Sequence, residues 1–436
     1  MIPSLAGLET ALSGLEADQL ALDETGHNIT NANTPGYSRQ VVNLTASPSL
    51  VLPAESSITG DGVQVGTGVD ATSITRIRNQ FLDIQYRAQN SLLGNATASS
   101  TALTQAQAAF SEPTSNGISA QMATFFSDWS TLANSPTSQA ARQTLVDDAT
   151  TLTQSFNQLS GQLATVQSQA ATQYSTLTAS GGQLQNDANQ IAALNGAIAN
   201  AQAAGQNPND LMDQRDSALD DLSSLGKISV TNQANGMVAV SFGDAASPLI
   251  SGTTVTWPQA LTSATGGQLG ALLNLSSASG PVAGFASALD SVASQLASSV
   301  NALHTATPFF TGTTAATIAV AATPSSVQTS STSAAGGNDV ALAIAGLAGG
   351  AADQSYAALV ASVGGAVSTA NTNQTNAQAL VSAVDSQRQS VSGVSLDQEM
   401  TNMMTYQRGY EASARALTTM DALLQTLITQ TGTVGL

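Results

Sequence analysis

Cysteine is absent from the chain, which removes disulfides, thiol nucleophiles and thiolate metal ligands together. Lysine is almost absent: Lys227 stands alone, and a net charge of -18 leaves no clustered cations to hold phosphate, so nucleic acid and anionic membrane surfaces are both disfavoured as partners. Charged residues of all kinds make up 9% of the 436 residues, and the polar surface falls instead to Ala, Ser, Thr, Gln and Asn. Such a surface suits packing against copies of itself, and a low-charge secreted protein of any other kind would share it. Histidine occurs twice. Neither His27 nor His304 has metal-ligand spacing, and the chain has no Gly-x-Ser-x-Gly elbow, so both read as packing or hydrogen-bonding residues, with no catalytic, metal or cofactor site expected. No apolar run is long enough to cross a bilayer, and the first residues lack the basic segment, apolar core and cleavage site of a secretory signal. Taken alone, that favours a cytoplasmic protein.

What the chain does have is apolar periodicity, over a length that fits about two to four domains. Near its start Leu5, Leu8, Leu12, Leu15, Leu22 and Ile29 step by threes and fours, with Gln19 and Gly26 interrupting, as in a helix built to lie against another helix. The helix must stop abruptly. Asn31 and Asn33 tolerate left-handed backbone, Pro35 pushes Thr34 extended, and Pro35-Gly36 fits the central pair of a type II turn before Tyr37. The matching stripe lies at the other end: Leu396, Met400, Met403, Tyr410, Ala414, Leu417, Leu424 and Ile428, with Gln407 and Asp421 as polar interruptions. Two such helices at opposite termini predict a paired stem with the rest of the chain hung from one end. A two-helix stem covers one side of each stripe only, so the termini are expected to finish ordering among neighbours.

Leu5-Ala-Gly-Leu8, Asn28-Ile-Thr-Asn-Ala-Asn-Thr-Pro-Gly-Tyr37 and Gln407-Arg-Gly-Tyr-Glu-Ala-Ser-Ala-Arg415 resemble the terminal signatures of the bacterial flagellar axial proteins, the rod, hook and hook-associated subunits. Ser38-Arg39-Gln40, Asp213-Gln-Arg-Asp216, Val300-Asn-Ala-Leu-His304 and Val394-Ser-Leu-Asp-Gln-Glu-Met400 turn that resemblance toward the hook-associated branch. The resemblance implies a structural adaptor and not an enzyme, joining hook to filament in the extracellular flagellum. It implies export through the flagellar type III apparatus without a cleaved signal, which overrides the cytoplasmic reading. It further implies no cofactor, and as partners copies of itself, hook protein, a second junction protein on the filament side and a cytoplasmic export chaperone on the C-terminal helix. The stripe residues become the assembly interface, and Asn28, Asn31, Asn33, Thr34, Pro35, Gly36 and Tyr37 the family turn. Relatives often carry a large outer domain in the later half, for which this chain has too few residues. Two rivals stand beside this reading. One is another axial subunit, such as a hook or distal rod protein, in which Asp213-Gln-Arg-Asp216 and a long helical middle would not be expected. The other is a flagellum-associated wall hydrolase using Asp213 or Asp216.

Between the ends the sequence predicts a mainly α fold: paired terminal coiled-coil-like helices over 1–36 and 394–436, and an elongated helical-bundle rod over 37–227 and 268–393. A small β excursion is expected over 228–267, and a short irregular or β segment over 306–350. Val41 to Ala71 reads as extended chain and turns along the stem, with Gly60 to Gly66 as a turn and not a dinucleotide fingerprint. Phe81, Ile84, Ala88, Leu92 and Leu103 mark one helical face, with Asp83, Arg78 and Arg87 elsewhere. Met122, Phe125, Phe126, Trp129 and Leu132 form an aromatic stripe suited to a core. A long helical stretch from Ser138 to Ala204 has a break at Gly181-Gly182. Asp213, Asp216 and Asp220 share a face of the next helix and read as solvated carboxylates, with Arg215 as their ion-pair or hydrogen-bond partner. Asn235-Gly236 signals a two-residue hairpin turn, and Val255 and Trp257 a further strand. Pro308 to Gly350 reads as irregular, mobile chain. Helix resumes at Ser355 and continues past a kink at Gly393.

Overall fold

The computed structural model describes residues 2–52, 63–332 and 336–431, so Gly60 to Gly62 of the expected turn lie outside the described residues. The apolar period makes α1 (Ile2–Thr30), and four strands follow: β1 (Gln40–Ala46), β2 (Leu50–Leu52), β3 (Val63–Val65) and β4 (Val69–Arg76). β1 and β4 pair antiparallel from Gln40 opposite Arg76 to Ala46 opposite Val69, β2 pairs with β3, and the ribbon lies along α1. Ser13 Oγ on the helix accepts from the Val69 backbone N–H at 3.2 Å and pins the two together.

Asn79 then caps α2 (Gln80–Phe110) by accepting the Phe81 N–H. The first half of this helix reverses the expected facing. Phe81, Ile84 and Leu92 are 70%, 58% and 57% exposed, while Asp83, Arg87 and Ser91 are buried. The cause is electrostatic: Asp83 and Arg87 find opposite charges on other segments, so the polar face turns in. From Leu103 to Phe110 the apolar face turns inward as the period predicts.

The main core gathers that end of α2 with α3 (Ile118–Asn134) and α4 (Gln139–Leu177), whose stripes from Met122 to Leu132 and from Leu145 to Leu163 are buried. The chain breaks at the expected Gly181-Gly182 and returns as α5 (Gln183–Ala203), which with α6 (Asn209–Leu225) backs a second core. Its other wall is a four-stranded antiparallel sheet in chain order: β5 (Ile228–Asn232), β6 (Val238–Phe242), β7 (Ile250–Ser251) and β8 (Thr254–Val255). Both Asn235 (φ 56°) and Gly236 (φ 70°) are left-handed, as the hairpin signal requires. Trp257 falls outside β8, followed by Pro258, which has no N–H to pair.

Helices α7 (Gly267–Ser276) and α8 (Pro281–Leu303) bring the chain back to the main core. The Pro308 to Gly350 segment, expected to be irregular, is packed into that core. It contains β9 (Phe310–Thr311), β10 (Ala319–Val320) and an unexpected helix, α9 (Asp339–Ala345), and buries Phe309, Phe310, Ile318, Val327 and Ile344. Asn301 on α8 holds it: its Oδ1 accepts from Phe309 and Phe310 N–H at 2.8 and 3.0 Å, and its Nδ2 donates to the Phe310 carbonyl at 2.8 Å. The short apolar anchors matter more than the Ser/Thr/Gly composition around them. Finally α10 (Ala351–Ser392) ends at Gly393, which is extended, so the expected kink is a full break before α11 (Leu396–Thr431). Among the described residues the result is mainly helical, with one four-stranded sheet and three two-stranded ribbons.

Candidate assembly site: stem, turn and joint

The stem is α1 against α11, and close approaches fix its register. A Cβ placed on Gly7 would lie 2.7 Å from Met420 Cε, one on Gly14 3.1 Å from Ser413 Oγ, and one on Gly409 2.6 Å from Asp18 Oδ2. Asn28 Nδ2 donates to Glu399 Oε2 at 3.3 Å. Each of these four pairs of residue numbers adds to 427, so the helices run antiparallel in one register from end to end. The seam on α1 is therefore Gly7, Ala11, Gly14, Asp18, Ala21, Thr25 and Asn28, a strict three-four step of small or polar residues that brings the backbones close.

The leucine stripe lies one residue, or about 100°, around the helix from this seam. Leu8, Leu15, Leu22 and Ile29 are half-buried, Leu12 is exposed, and the Leu5 side chain lies outside the described residues. On α11, Met403, Leu417 and Leu424 are half-buried, whereas Leu396, Met400, Tyr410 and Ile428 are exposed. The expectation that these stripes face each other is thus corrected: small residues fill the contact, and much of the Leu and Met surface is left outside it. The heptad of Gly7, Gly14, Ala21 and Asn28 was the available signal.

At the base of the stem the chain turns sharply. Asn31 Nδ2 donates to the His27 carbonyl at 3.1 Å, and the Tyr37 N–H closes a turn onto Thr34 O at 3.2 Å, with Gly36 at φ 80° as a type II turn needs. Asn31 and Asn33 do not use their left-handed option; Ser111 and Asn235 are the non-glycine residues with positive φ among those described. Asn28 is the hub. Its Oδ1 accepts from the Gln40 N–H (2.9 Å) and the Tyr37 hydroxyl (2.8 Å), and its Nδ2 donates to the Gln40 carbonyl (2.8 Å) as well as to Glu399. Both Asn28 and Glu399 are 2% exposed. One side chain thus ties both stem helices to the turn, and Arg39 Nη1 lies 3.8 Å from Glu399 Oε1. Burial pushes the Glu24 carboxyl up, with His27 at 3.5 Å pulling it partly back, and burial followed by the nearby Glu24 and Asp210 charges pushes the Tyr37 hydroxyl up.

Beyond the turn, the row of carboxylates on α6 is not solvated. Asp213 accepts from Ser38 N–H and Oγ, both at 2.8 Å, and from Arg76 at 2.6 Å. Asp216 meets Arg76 (2.8 Å), Arg78 (3.3 Å) and Arg87 (3.1 Å). Asp220 meets Arg87 (2.7 Å) and Arg388 (2.9 Å), and Asp83 closes the net onto Arg78 (2.8 Å) and Arg388 (3.2 Å). Four of the nine arginines converge here, in a chain with few charges. Burial alone would raise the Asp216 carboxyl, but Arg78, Arg76 and Arg87 outweigh it and hold it below the usual range. Arg215 takes no part: it points to the other side of α6, donating to Asn195 Oδ1 (3.1 Å) and the Gly236 carbonyl (2.6 Å). With four guanidinium groups matched to four carboxylates, the cluster offers neither a free base nor open ligand positions. It is the joint at which α2, α6, α10 and the turn are clamped together.

The remaining candidates are equally committed. His304 Nε2 accepts from the Gln328 N–H at 2.7 Å, Nδ1 faces the Thr307 carbonyl at 2.5 Å, and the ring sits between Trp129 and Phe309, so it is a core residue. His27 contacts Glu24 and the Tyr37 hydroxyl at the stem base. Among the described residues no group of three or more His, Asp or Glu is arranged to hold a metal ion, and no helix is long and apolar enough to cross a membrane.

Residues 8–37 match the family described as flagella basal body rod protein, and residues 385–430 the flagellar basal body rod FlgEFG protein C-terminal family. Residues 103–264 match the flagellar hook-associated protein FlgK helical domain. Flagellar hook-associated protein 1 of Bacillus subtilis (strain 168) is 30% identical over 512 aligned positions spanning 100% of both chains. Its namesake from Escherichia coli (strain K12) is 30% identical over 57% of this chain and 43% of its own length. The flagellar hook junction protein FlgK from Burkholderia pseudomallei has a solved structure similar over 51% of this chain and 43% of that one, at 27% identity and a TM-score of 0.45. A helical stem made of both termini, joined to a helical body and bearing these terminal signatures, defines the class: a structural subunit of the extracellular bacterial flagellum. The chain belongs to the flagellar hook-associated protein 1 family, the structural proteins of the hook-filament junction.

Proposed function

We propose that this chain is the adaptor that seats filament on hook by packing the outer faces of its stem against neighbouring subunits. The single observation that supports this is the division of labour in the stem: α1 and α11 seal a seam of small residues and leave Leu12, Leu396, Met400, Tyr410 and Ile428 exposed. Exposed apolar side chains along paired helices gain stability once a neighbour covers them. In this reading 1–36 and 394–436 are the stem, 37–227 and 268–393 the rod, 228–267 a small β region, and 306–350 a packed strap in place of a larger outer domain. The assembly interface comprises Leu5, Leu8, Leu12, Leu15, Leu22 and Ile29 with Leu396, Met400, Met403, Tyr410, Leu417, Leu424 and Ile428. The family turn, Asn28, Asn31, Asn33, Thr34, Pro35, Gly36 and Tyr37, sets the angle of stem to rod. The partners are copies of itself, hook protein, a second junction protein toward the filament, and before export a chaperone on α11. The role is structural and not catalytic.

Deleting residues 2–37 tests it. The truncated chain is expected to keep the melting transition of its rod and to be absent from isolated flagella, leaving hooks bare and filament protein shed into the medium. Normal incorporation of the truncated chain would defeat the proposal.

A further inference from the structure

The stem carries its few charges in a pattern. Glu9, Glu16 and Asp23 recur every seven residues on α1, and all three are exposed with no ion pair among the described residues. Among the described residues three side-chain cations are exposed, Lys227, Arg408 and Arg415, and two of them lie seven residues apart on one face of α11. Arg408 has no ion pair among the described residues, and Arg415 has only Glu411, one turn away at 3.9 Å. Within one copy, the register adding to 427 sets Arg408 level with Gln19 and Arg415 level with Leu12, so neither stands opposite an acid. The spacings nevertheless match. Glu9, Leu12 and Glu16 read against Arg415, Ala412 and Arg408 pair acid with base at both ends and apolar with apolar between, and every pair adds to 424.

We propose that a second copy of this chain docks on the outer face of α1 through these three rungs. Glu9 meets Arg415, Leu12 meets Ala412, and Glu16 meets Arg408 of the neighbour. This deepens the assembly role proposed above and rests on it. The occupant is another copy because both complementary faces belong to one chain and lie on different sides of its stem, a heterologous contact that can repeat around a ring. Moving from the internal register to this one is a shift of three residues, or an axial stagger of about 4.5 Å between neighbours. A four-residue shift the other way would pair Arg408 with Asp23 and Arg415 with Glu16. It would set Ala412 against Gln19, leaving Leu12, which is 42% exposed, uncovered. The apolar rung selects the first register.

The absence of cysteine makes the test clean. In flagella assembled by the native host, a chain carrying Leu12→Cys and Ala412→Cys is expected to give covalent oligomers of itself on mild oxidation, at least tenfold more than one carrying Gln19→Cys and Ala412→Cys. Glu9→Arg with Glu16→Arg, or Arg408→Glu with Arg415→Glu, should each cut incorporation at least tenfold, and all four changes together should restore it. Equal cross-linking of the two cysteine pairs, cross-links to a different protein, wild-type incorporation of either charge reversal, or no rescue by the fourfold variant overturns the proposal. The helical content of each purified variant checks that these exposed changes leave the fold intact. If deleting residues 2–37 blocks incorporation while the charge reversals do nothing, the ladder fails and the adaptor role stands; if that deletion incorporates normally, the adaptor role itself fails.

Discussion

The rod and the stem are both helical, and they are held by opposite means. In the rod, Phe125, Trp129, Phe309 and Phe310 pack with ring centroids 4.8 to 6.3 Å apart, and Leu145, Leu152 and Phe156 on α4 are fully enclosed. In the stem, glycine and alanine form the contact, and the large side chains that would make a core lie at its edge or outside. The rod is therefore finished in one molecule, while the stem keeps its apolar surface for others. Between them sits the arginine-aspartate joint, which fixes geometry by directional pairs where neither kind of packing reaches.

Graded substitutions can break or sharpen that contrast. Trp129→Ala should cost the rod about 3–5 kcal/mol, read by urea unfolding of the purified chain, because it empties a fully enclosed site. Asp216→Ala should cost roughly 3 kcal/mol by leaving three guanidinium groups short of a partner. The sign with pH follows from the depressed carboxyl: the stability Asp216 contributes is in place above the ordinary carboxylate range and is lost as pH falls through its lower native value. Gly14→Leu should wedge the seam open at a cost of about 1–3 kcal/mol confined to the stem. Hydrogen exchange should then accelerate in α1 and α11 while the rod transition stays put. Asp128 gives the opposite pH behaviour. Facing Asp148 across α3 and α4, its carboxyl is pushed up to about 7, first by burial and then by its neighbour. Its ionisation destabilises the rod as pH rises from the unfolded value toward 7. Asp128→Asn should therefore melt higher than the parent at pH 8, with the gap closing by pH 4. Leu12→Ala should change monomer stability by less than about 0.5 kcal/mol and still reduce incorporation into flagella; unchanged incorporation would show that the exposed stripe is idle.

Most helices were legible because their apolar periods are long and their breaks are marked by Gly181-Gly182 and Gly393. The facing of two of them was not. On α2, Phe81, Ile84 and Leu92 repeat like a core stripe, but their helix is oriented by Asp83 and Arg87. The partners of those residues, on segments distant in sequence, leave no local trace. The same holds for Asp213, Asp216 and Asp220, whose spacing alone cannot separate a solvated row from one clamped by Arg76, Arg78, Arg87 and Arg388. On α1 the leucines outshout the glycines, since a hydrophobicity pattern has no weight for a residue whose contribution is to be small. The turn at Pro35-Gly36 was legible in full because its requirement is local backbone geometry.

The bond from Asn28 to Glu399 spans 371 positions of sequence. A ribosome releases the N-terminal half of the stem first, and that half must wait for the other end to arrive. Within the rod α2 likewise waits for α10, whereas α3 with α4 and α5 with α6 pack on their chain neighbours and can settle in the meantime. Closing so long a loop adds little entropy beyond that of a shorter one, so the delay is one of order and not of affinity. The composite surface that α1 and α11 present side by side exists only once both ends have met.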